Sequence, residues 1–371
     1  MKIGILTLPF NNNYGGFLQA YALMTVLKRM GHDVWFIDLQ MNNPQRSVIN
    51  THLAFVKRII KKYILKNNSV YSVIPSKDSR YNSIIIWQYT CPFVDKYLCP
   101  KISPVFSSSE LSYIVEKIHF DAFVSGSDQI WRPKYMKHFL KTTYFDFLND
   151  RNEKKISYAA SFGVDEWEYS PKLTKECSKL IKKIDAVSVR EESGVALCKQ
   201  YLSVDAQCVL DPTLLLNKED YMSLIENAQI KQSAGDLFYY ILDKTDEKQK
   251  VVDHVAKQLS LTPFCTGKGC NVVEPVEVWL RGFYDAKFVI TDSFHGAVFS
   301  ILFNKPFVVF GNKARGNTRF NSLLKIFNIE KCLITSENFD HQLFNLDYSE
   351  VNRIMASEKD KSIAYLINAL Q

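Results

Sequence analysis

The sequence predicts an α/β protein made of two open domains that face each other across a cleft. Three observations support this expectation. Apolar runs of strand length alternate with helical patterns along most of the chain, as in a parallel sheet with crossover helices. The length of 371 residues suits two domains of ordinary size. Polar residues follow several of the apolar runs, where open α/β sheets bind their ligands.

The composition excludes several classes of protein. Hydrophobic residues make up 47% and charged residues 23%, so a wholly disordered or fibrous chain is excluded. No apolar stretch is long enough to span a bilayer, and the N-terminus has no signal-peptide cleavage pattern, so we expect a cytoplasmic protein. The net charge of +7 suits an anionic ligand or an anionic membrane surface. No nucleic-acid-binding signature is present, and we expect no nucleic-acid partner.

The eight cysteines include no CxxC pair, and only Cys265 and Cys270 lie close together in sequence. This spacing argues against a zinc site and against a disulfide framework, so we expect reduced thiols. No metal and no cofactor is expected.

The elements of the first half are taken in chain order. Residues 3–37 form a βαβ pattern, in which helical spacing over 18–30 follows a polar turn and ends at Gly31. Prolines between 75 and 115 favour loops and short helices. Further strands are predicted at 120–124, 156–160, 186–189 and 208–210, and helices at 171–183 and 191–201.

The second half repeats the alternation. Strands are predicted at 238–242, 261–264, 288–291 and 306–310, and helices at 246–259, 276–285, 297–303, 319–327 and 349–370. We assign an N-terminal domain to residues 1–185 and a C-terminal domain to residues 186–345. The helix within 346–371 is a candidate to pack back on the N-terminal domain.

Residues 51–66 differ from the rest because a helix there would combine an apolar face with five positive charges. Such a helix could bind anionic lipid at the inner face of the membrane. The alternative is a surface helix that packs on its own domain.

Polar residues at the strand ends are the candidate site. Gly15 and Gly16 precede the first helix and could offer backbone amides to an anion or a sugar hydroxyl, or could form a plain turn. Asp128 could bind a hydroxyl or cap the segment that follows it. Arg190 ends an apolar strand, where it could pair with Glu191 or Glu192 or bind a carboxylate or phosphate. Ser161 ends another strand.

The segment from Thr291 to Gly296 is the most informative. It joins a strand to a helix, so His295 lies at a helix N-terminus, where the dipole favours the neutral imidazole that relays protons near pH 7. Asp292 lies three residues away. Downstream, Lys313, Arg315 and Arg319 form a basic loop that suits phosphate binding or is simply solvated.

Six segments in order resemble the polysaccharide pyruvyl transferase family. They are Asn13-Tyr14-Gly15-Gly16 with Leu18-Gln19-Ala20 after it, Val124-Ser125-Gly126-Ser127-Asp128-Gln129-Ile130-Trp131, Ser157-Tyr158-Ala159-Ala160-Ser161-Phe162-Gly163, Ser188-Val189-Arg190-Glu191, Leu210-Asp211-Pro212-Thr213 and Thr291-Asp292-Ser293-Phe294-His295-Gly296. Each is short, but together they cover most of the chain.

The resemblance implies two facing Rossmann-like domains, as in the GT-B glycosyltransferases. It implies transfer of a pyruvyl group from phosphoenolpyruvate to two sugar hydroxyls of a polysaccharide precursor, which gives a ketal. In the family, an arginine matching Arg190 and an Arg-Leu-His segment serve donor binding and catalysis. That segment reads Ser293-Phe294-His295 in this chain, so the histidine is kept and Ser293 replaces the arginine.

We therefore expect His295, Arg190 and Asp292 to serve catalysis, with His295 as general acid and base. The expected donor residues are Arg190, Ser293, Phe294, Lys313 and Arg319. The expected acceptor residues, for a galactose-type saccharide or a lipid-linked oligosaccharide, are Asn13, Tyr14, Gly15, Gly16, Gln19, Ser127, Asp128 and Ser161.

Two other functions fit the same architecture. A glycosyltransferase that uses a sugar nucleotide would need a nucleotide pocket in the C-terminal domain. A non-catalytic glycan-binding protein would not need the histidine and arginine at the strand ends.

Overall fold

The computed structural model of the protein describes residues 1–10, 13–41, 89–148, 151–270, 272, 274–311, 317–335 and 346–371. The predicted segment 51–66 and Lys313 lie outside these residues, so membrane contact through 51–66 stays a prediction. Among the described helices, none is long and apolar enough to cross a bilayer.

The strands are β1 (Lys2–Leu6), β2 (Asp33–Leu39), β3 (Lys101–Val105), β4 (Ala122–Ser125), β5 (Lys154–Ala160), β6 (Ala186–Val189), β7 (Gln207–Cys208), β8 (Leu237–Tyr240), β9 (Pro263–Phe264), β10 (Phe288–Thr291), β11 (Phe307–Phe310) and β12 (Leu333–Ile334). The helices are α1 (Tyr14–Arg29), α2 (89–97), α3 (Ser108–Lys117), α4 (Pro133–Met136), α5 (Pro171–Ile181), α6 (Glu192–Leu197), α7 (Lys218–Asn227), α8 (Asp246–Leu259), α9 (Val276–Asp285), α10 (Phe294–Leu302), α11 (Thr318–Ile326) and α12 (Tyr348–Leu370).

Two parallel sheets organise the described residues, as the alternating pattern predicts. The first has seven strands in the order β3-β2-β1-β4-β5-β6-β7, and the second has five in the order β12-β11-β10-β8-β9. Parallel strands need crossover connections, which the helices between them provide. The predicted α/β class with two Rossmann-like domains, each built on a parallel sheet, is therefore confirmed.

The division between the sheets falls later in the chain than residue 185. Strand β6 pairs with β5, and β7 pairs with β6, so residues 186–208 extend the first sheet. The predicted start of the C-terminal domain at residue 186 thus cuts through this sheet. The error arose because a short edge strand such as β7 does not show in its own sequence which sheet it joins.

Strand β3 lies between residues 75 and 115, where the sequence predicted loops and short helices. It pairs only with β2 and forms one edge of the first sheet. Pro104 lies within it, and proline is tolerated at a sheet edge because its missing N–H faces away from the ladder. The prolines concealed the strand in the sequence.

The cysteine expectation is wrong at one place. Cys265 and Cys270 form a disulfide bond, although five residues of separation gave no framework signal. The other six cysteines are free thiols, as expected.

Helix α1 and the second domain share one continuous core. Phe17 and Leu23 of α1 belong to the same buried cluster as Trp279 and Phe299 of the second domain. The Tyr14 ring lies 5.7 Å from the Trp279 ring. This packing fixes the start of α1 relative to the second sheet, so the two domains form the walls of one cleft.

Helix α12 follows the second domain in sequence but packs against the first sheet. Tyr365 Oη donates to the Ser157 carbonyl of β5 at 2.8 Å, and the Leu210 N–H donates to Ser362 Oγ at 3.0 Å. Both bonds are buried, so this helix completes the hydrogen bonding of the first domain.

Tyr365→Phe should lower the free energy of unfolding by about 0.5–1.5 kcal/mol, because it removes one buried hydrogen bond. The loss stays modest because the Ser157 carbonyl also accepts from Ser188 Oγ. Tyr113→Phe is the control, since Tyr113 is 63% exposed. An equal change in the free energy of unfolding of both variants, measured with urea, would contradict this packing role.

Candidate functional site

A cavity of about 210 Å³ opens at the carboxyl ends of the strands of both sheets. Such crevices are where open α/β sheets bind their ligands. Its walls come from both domains, with lining residues Leu8, Pro9, Phe10, Asn13, Gly16, Asp128, Gln129, Tyr135, Tyr240, Leu242, Asp292, Ser293, Phe294, His295 and Arg319.

Three helices begin at this cavity. The starts of α1, α10 and α11 supply Gly16, His295 and Arg319 to its lining. The first-turn N–H groups of a helix have no intrahelical acceptor, and the helix dipole is positive at that end. Three positive ends and a guanidinium around one small cavity make it suited to an anion.

Arg190 does not line this cavity, contrary to the expectation that it binds the ligand directly. Its Nη1 donates to Asp211 Oδ2 at 2.6 Å and its Nη2 donates to Asp128 Oδ1 at 3.3 Å. Its guanidinium lies 4.3 Å from the ring centroid of Phe294. Burial alone would lower the pKa of Arg190, but Asp211 and Asp128 raise it above its usual value. Arg190 is thus a buried ion-pair partner behind the cavity wall.

Glu191 does not pair with Arg190 either. Its Oε1 accepts from Ser161 Oγ at 2.9 Å and from the N–H groups of Phe162 and Gly163 at 2.9 and 3.2 Å. Ser161 is fully buried and outside the cavity lining. The expected acceptor contact of Ser161 is replaced by a role in holding the turn after β5.

Asp211 connects the two domains at this site. Besides Arg190, its Oδ2 accepts from Ser127 Oγ at 3.3 Å and lies 3.6 Å from His295 Nε2. Burial alone would raise the pKa of Asp211, but His295 and Arg190 hold it well below the usual range. A carboxylate in this setting stays ionised at any physiological pH.

His295 lies in the first turn of α10 and is almost fully buried. One ring edge faces Asp211, and the ring also lies against Gly15 of α1. A Cβ atom built on Gly15 would be 2.0 Å from His295 Nδ1, so only glycine allows this approach. Gly15 therefore has a packing role against His295, in place of the expected contact between its backbone amide and a ligand.

Asp128 lines the cavity with a backbone φ of +70°, an uncommon conformation for a residue other than glycine. Its Oδ1 accepts from the Gln129 N–H, and its Oδ2 accepts from Asn13 Nδ2 at 3.3 Å. Strained residues held by several bonds cluster at functional sites. The predicted pair of Asn13 and Asp128 is thus brought together at the cavity.

Gln19 and Ser127 lie behind the cavity rather than in it. Gln19 Nε2 donates to Thr7 Oγ1 at 2.7 Å, and its Oε1 accepts from the Ser127 N–H at 2.9 Å. Both side chains are fully buried. They fix the turn after β4 instead of contacting an acceptor.

Tyr14 is also a supporting residue. Its Oη donates to the Glu274 carbonyl at 2.8 Å, which ties the start of α1 to the second domain. Burial raises the pKa of Tyr14 to about 12, so its hydroxyl remains protonated.

Asp292 holds a loop, which argues against its expected catalytic role. Its two carboxylate oxygens accept from the Leu242 and Asp243 N–H groups at 2.6 and 3.0 Å. Lys248 Nζ pairs with it at 2.7 Å. Its charge is therefore already compensated at the cavity edge.

Among the described residues, Arg319 brings a guanidinium to the cavity lining. It lies 5.4 Å from the centroid of the Phe294 ring, which Arg190 also contacts. Burial, which is the larger cause, and the nearby Arg190 together lower the pKa of Arg319 to about 10. Ser293, at the position where the resemblance implied an arginine, caps α10 by accepting from the Gly296 N–H at 3.4 Å.

Sequence reasoning missed three functional residues. Asp211 appeared only within a matching segment, although an aspartate that follows a short buried strand and precedes Pro212 was a usable signal. Gln129 and Tyr135 follow the turn after β4, and no periodicity marked them as cavity residues. Among the described residues, no group of three or more His, Cys, Asp or Glu side chains could hold a metal ion.

Gly15→Ala should lower thermal stability because its methyl group would displace His295. Gly16→Ala is the matched control in the same helical turn, where the nearest atom would be 3.4 Å away. Alanine favours helix over glycine by about 1 kcal/mol, so Gly16→Ala should be neutral or stabilising. Equal melting temperatures for the two variants would contradict the close packing of Gly15 on His295.

Solved structures with similar folds share little sequence with this chain. UDP-GlcNAc 2-epimerase from Neisseria meningitidis bound to UDP-GlcNAc is 9% identical, with a TM-score of 0.49, over 100% of this chain and 99% of that chain. Medicago truncatula UGT71G1 complexed with UDP-glucose is 9% identical, with a TM-score of 0.49, over 100% and 98%. The S. aureus MnaA–UDP co-structure is 12% identical, with a TM-score of 0.47, over 92% and 89%.

No curated protein sequence matches the chain significantly. The family model described as polysaccharide pyruvyl transferase, however, matches residues 13–314, which is most of the chain. The matched range contains the cavity residues from Asn13 to His295. The chain therefore belongs to the polysaccharide pyruvyl transferase family.

Proposed function

We propose that the protein transfers the pyruvyl group of phosphoenolpyruvate to two hydroxyls of one saccharide unit, forming a cyclic ketal. Family membership supports pyruvyl transfer to a polysaccharide in general. The observation that carries the choice of donor is the convergence of three helix N-termini and Arg319 on one cavity beside His295. Phosphoenolpyruvate carries a phosphate and a carboxylate, so it needs this density of positive charge and N–H donors.

Each of the two carboxylates in the cavity wall has a cationic partner. Asp292 is paired with Lys248, and Asp128 shares Arg190 with Asp211. The one charge of Arg190 is thus divided between two carboxylates, and Arg319 is the second cation that acts on Asp128. Arg319 lines the cavity, and a guanidinium can bind a carboxylate or phosphate through two parallel hydrogen bonds.

The reaction balances without a further reagent. Two C–O bonds form between the sugar oxygens and C2 of phosphoenolpyruvate, while the bond from C2 to the phosphate oxygen breaks and the C2–C3 double bond becomes a single bond. One hydroxyl proton ends on C3, which becomes a methyl group, and the other leaves with the phosphate. We assign His295 the transfer of these protons, because it is the imidazole in the cavity lining.

The saccharide faces the wall formed by the first domain. Phe10 and Tyr135 supply aromatic surface there, which suits the apolar face of a sugar ring. Gln129 Oε1 accepts from Arg132 Nη1 at 3.2 Å, which orients the amide so that Nε2 can donate to a hydroxyl. Of the acceptor residues expected from sequence, Asn13, Gly16 and Asp128 lie in this wall.

Phosphate release from phosphoenolpyruvate in the presence of galactosides tests the reaction. His295→Gln should lower kcat by about 10²–10⁴-fold, because it removes the proton-transfer group. Arg319→Gln should raise KM for phosphoenolpyruvate by about 10–100-fold, because it removes a charged hydrogen-bond donor. Lys325→Gln is the matched control, since the exposed Lys325 lies in the same helix and pairs with Glu192 away from the cavity.

Two results would contradict this proposal. One is that the wild-type protein releases no phosphate with any galactoside, and the other is that both site variants release phosphate as the wild type does. A melting temperature that rises with a sugar nucleotide and not with phosphoenolpyruvate would instead identify a glycosyltransferase.

Tyr135→Ala should raise KM for the saccharide acceptor by about 10-fold and leave KM for phosphoenolpyruvate within about twofold, because it removes aromatic contact area of about one sugar face. Tyr135→Phe keeps the ring and should stay close to the wild type. Initial rates measured with each substrate varied in turn separate the two constants. An equal rise of KM for both substrates in Tyr135→Ala would contradict the assignment of Tyr135 to the acceptor site.

A further inference from the structure

We propose that Asp211 is a positioning residue for His295. In this arrangement the carboxylate holds the His295 ring with its proton on Nε2, so that Nδ1 carries the lone pair that meets the ligand. The family match includes Asp211 within its range but assigns it no role.

The Asp211 carboxylate is fixed by bonds to both oxygens. Its Oδ1 accepts from the Thr213 N–H at 3.0 Å and from Thr213 Oγ1 at 2.7 Å. Its Oδ2 accepts from Arg190 Nη1 at 2.6 Å and from Ser127 Oγ at 3.3 Å. The carboxylate therefore cannot turn toward a ligand, and its position is set before any substrate binds.

The orphaned nitrogen of His295 faces this fixed carboxylate. Nε2 is buried and makes no hydrogen bond within the described residues, and Asp211 Oδ2 lies 3.6 Å from it. A nitrogen lone pair would be repelled by the carboxylate, whereas an N–H would be attracted to it. The distance exceeds that of a hydrogen bond, as is common for catalytic pairs before a ligand binds.

The other ring nitrogen lies at the start of α1. Nδ1 is the atom closest to a Cβ built on Gly15, and Gly16 of the same turn lines the cavity. In a neutral imidazole one nitrogen bears the proton and the other accepts. A proton on Nε2 therefore makes Nδ1 the acceptor on the side where α1 begins.

The catalytic part of this inference rests on the proposed function. Nδ1 takes the proton of a sugar hydroxyl as the oxygen bonds to C2 of phosphoenolpyruvate and the C2–C3 π electrons move to C3, and the resulting imidazolium faces the Asp211 carboxylate. The same Nδ1 then returns the proton to C3, so the ring ends neutral. Arg190 keeps Asp211 ionised, so the carboxylate stabilises the imidazolium without taking its proton.

Nitrogen-15 NMR of the ligand-free protein tests the tautomer independently of any activity. Long-range ¹H–¹⁵N spectra, recorded through a pH titration, distinguish the two neutral tautomers of the seven histidines. His295→Gln assigns the His295 signals. We expect the neutral Nε2–H tautomer in the wild type. A neutral ring protonated on Nδ1 would overturn the inference, whether or not any Asp211 variant folds.

Asp211→Asn should shift the His295 ring toward a mixture of tautomers. Asp292→Asn is the matched control, because Asp292 is an equally buried carboxylate at the same cavity whose partners are Lys248 and two backbone N–H groups. It should leave the His295 tautomer unchanged. A tautomer that is the same in wild type and Asp211→Asn, or that shifts equally in both variants, would overturn the role of Asp211.

The catalytic part is tested by a double-mutant cycle. Asp211→Asn should lower kcat by about 10²–10⁴-fold, the order expected for losing the histidine itself. The double variant Asp211→Asn/His295→Gln should fall no further, because the two residues act as one unit. Additive losses would overturn the coupling. If the wild-type protein releases no phosphate from phosphoenolpyruvate, the proposed function fails while the tautomer result still stands.

Discussion

The ion pair between Arg190 and Asp211 is the interaction on which the site depends. Two fully buried charges 2.6 Å apart belong to different parts of the chain, since Arg190 follows β6 and Asp211 lies in the segment that leads to the second domain. Burying each charge costs several kcal/mol, and only close partners on all sides offset that cost. Asp128, Thr213 and Ser127 complete those partners, so the pair cannot shift without disturbing both domains.

This constraint explains why the two arginines have different positions. The Arg190 guanidinium lies against the Phe294 ring and forms hydrogen-bonded ion pairs with Asp211 and Asp128. Arg319 approaches the same ring from α11 and reaches the cavity. The phenyl ring keeps the two cations apart in a low-dielectric setting and offers each a favourable π face. Among the described residues that line the cavity, Arg319 supplies the guanidinium group.

Much of the fold could be predicted from the sequence, because each helix or strand follows from the spacing of residues that are close together in the chain. The spacing of apolar residues gave α8 and α9 at their observed bounds, and strand-end polar residues located the cavity before its geometry was known. The missed features are non-local. Arg190 pairs with Asp211 and Asp128, which are 21 and 62 positions away from it in the sequence. No spacing in a single sequence reveals such partners. Glu191, the neighbour in sequence, binds a different turn.

The same reason explains the remaining differences. Whether β6 and β7 extend the first sheet or begin the second is decided by strand pairing across space, and β3 is concealed by prolines that an edge strand tolerates. Gln19, Ser127 and Ser161 are polar residues that the strand-end rule brought to the right end of the sheet. Gln19 and Ser127 bond to backbone groups, and Ser161 Oγ donates to Glu191 Oε1, a distinction that depends on the turns around them.

The return of α12 to the first sheet has a consequence for biosynthesis. Carbonyl and amide groups of Ser157 and Leu210 find Tyr365 and Ser362 only after the ribosome has made the whole second domain. The first domain therefore cannot reach its final packing while it is being translated, although its strands emerge first. Each nascent chain therefore keeps that surface of β5 uncovered until α12 has been made.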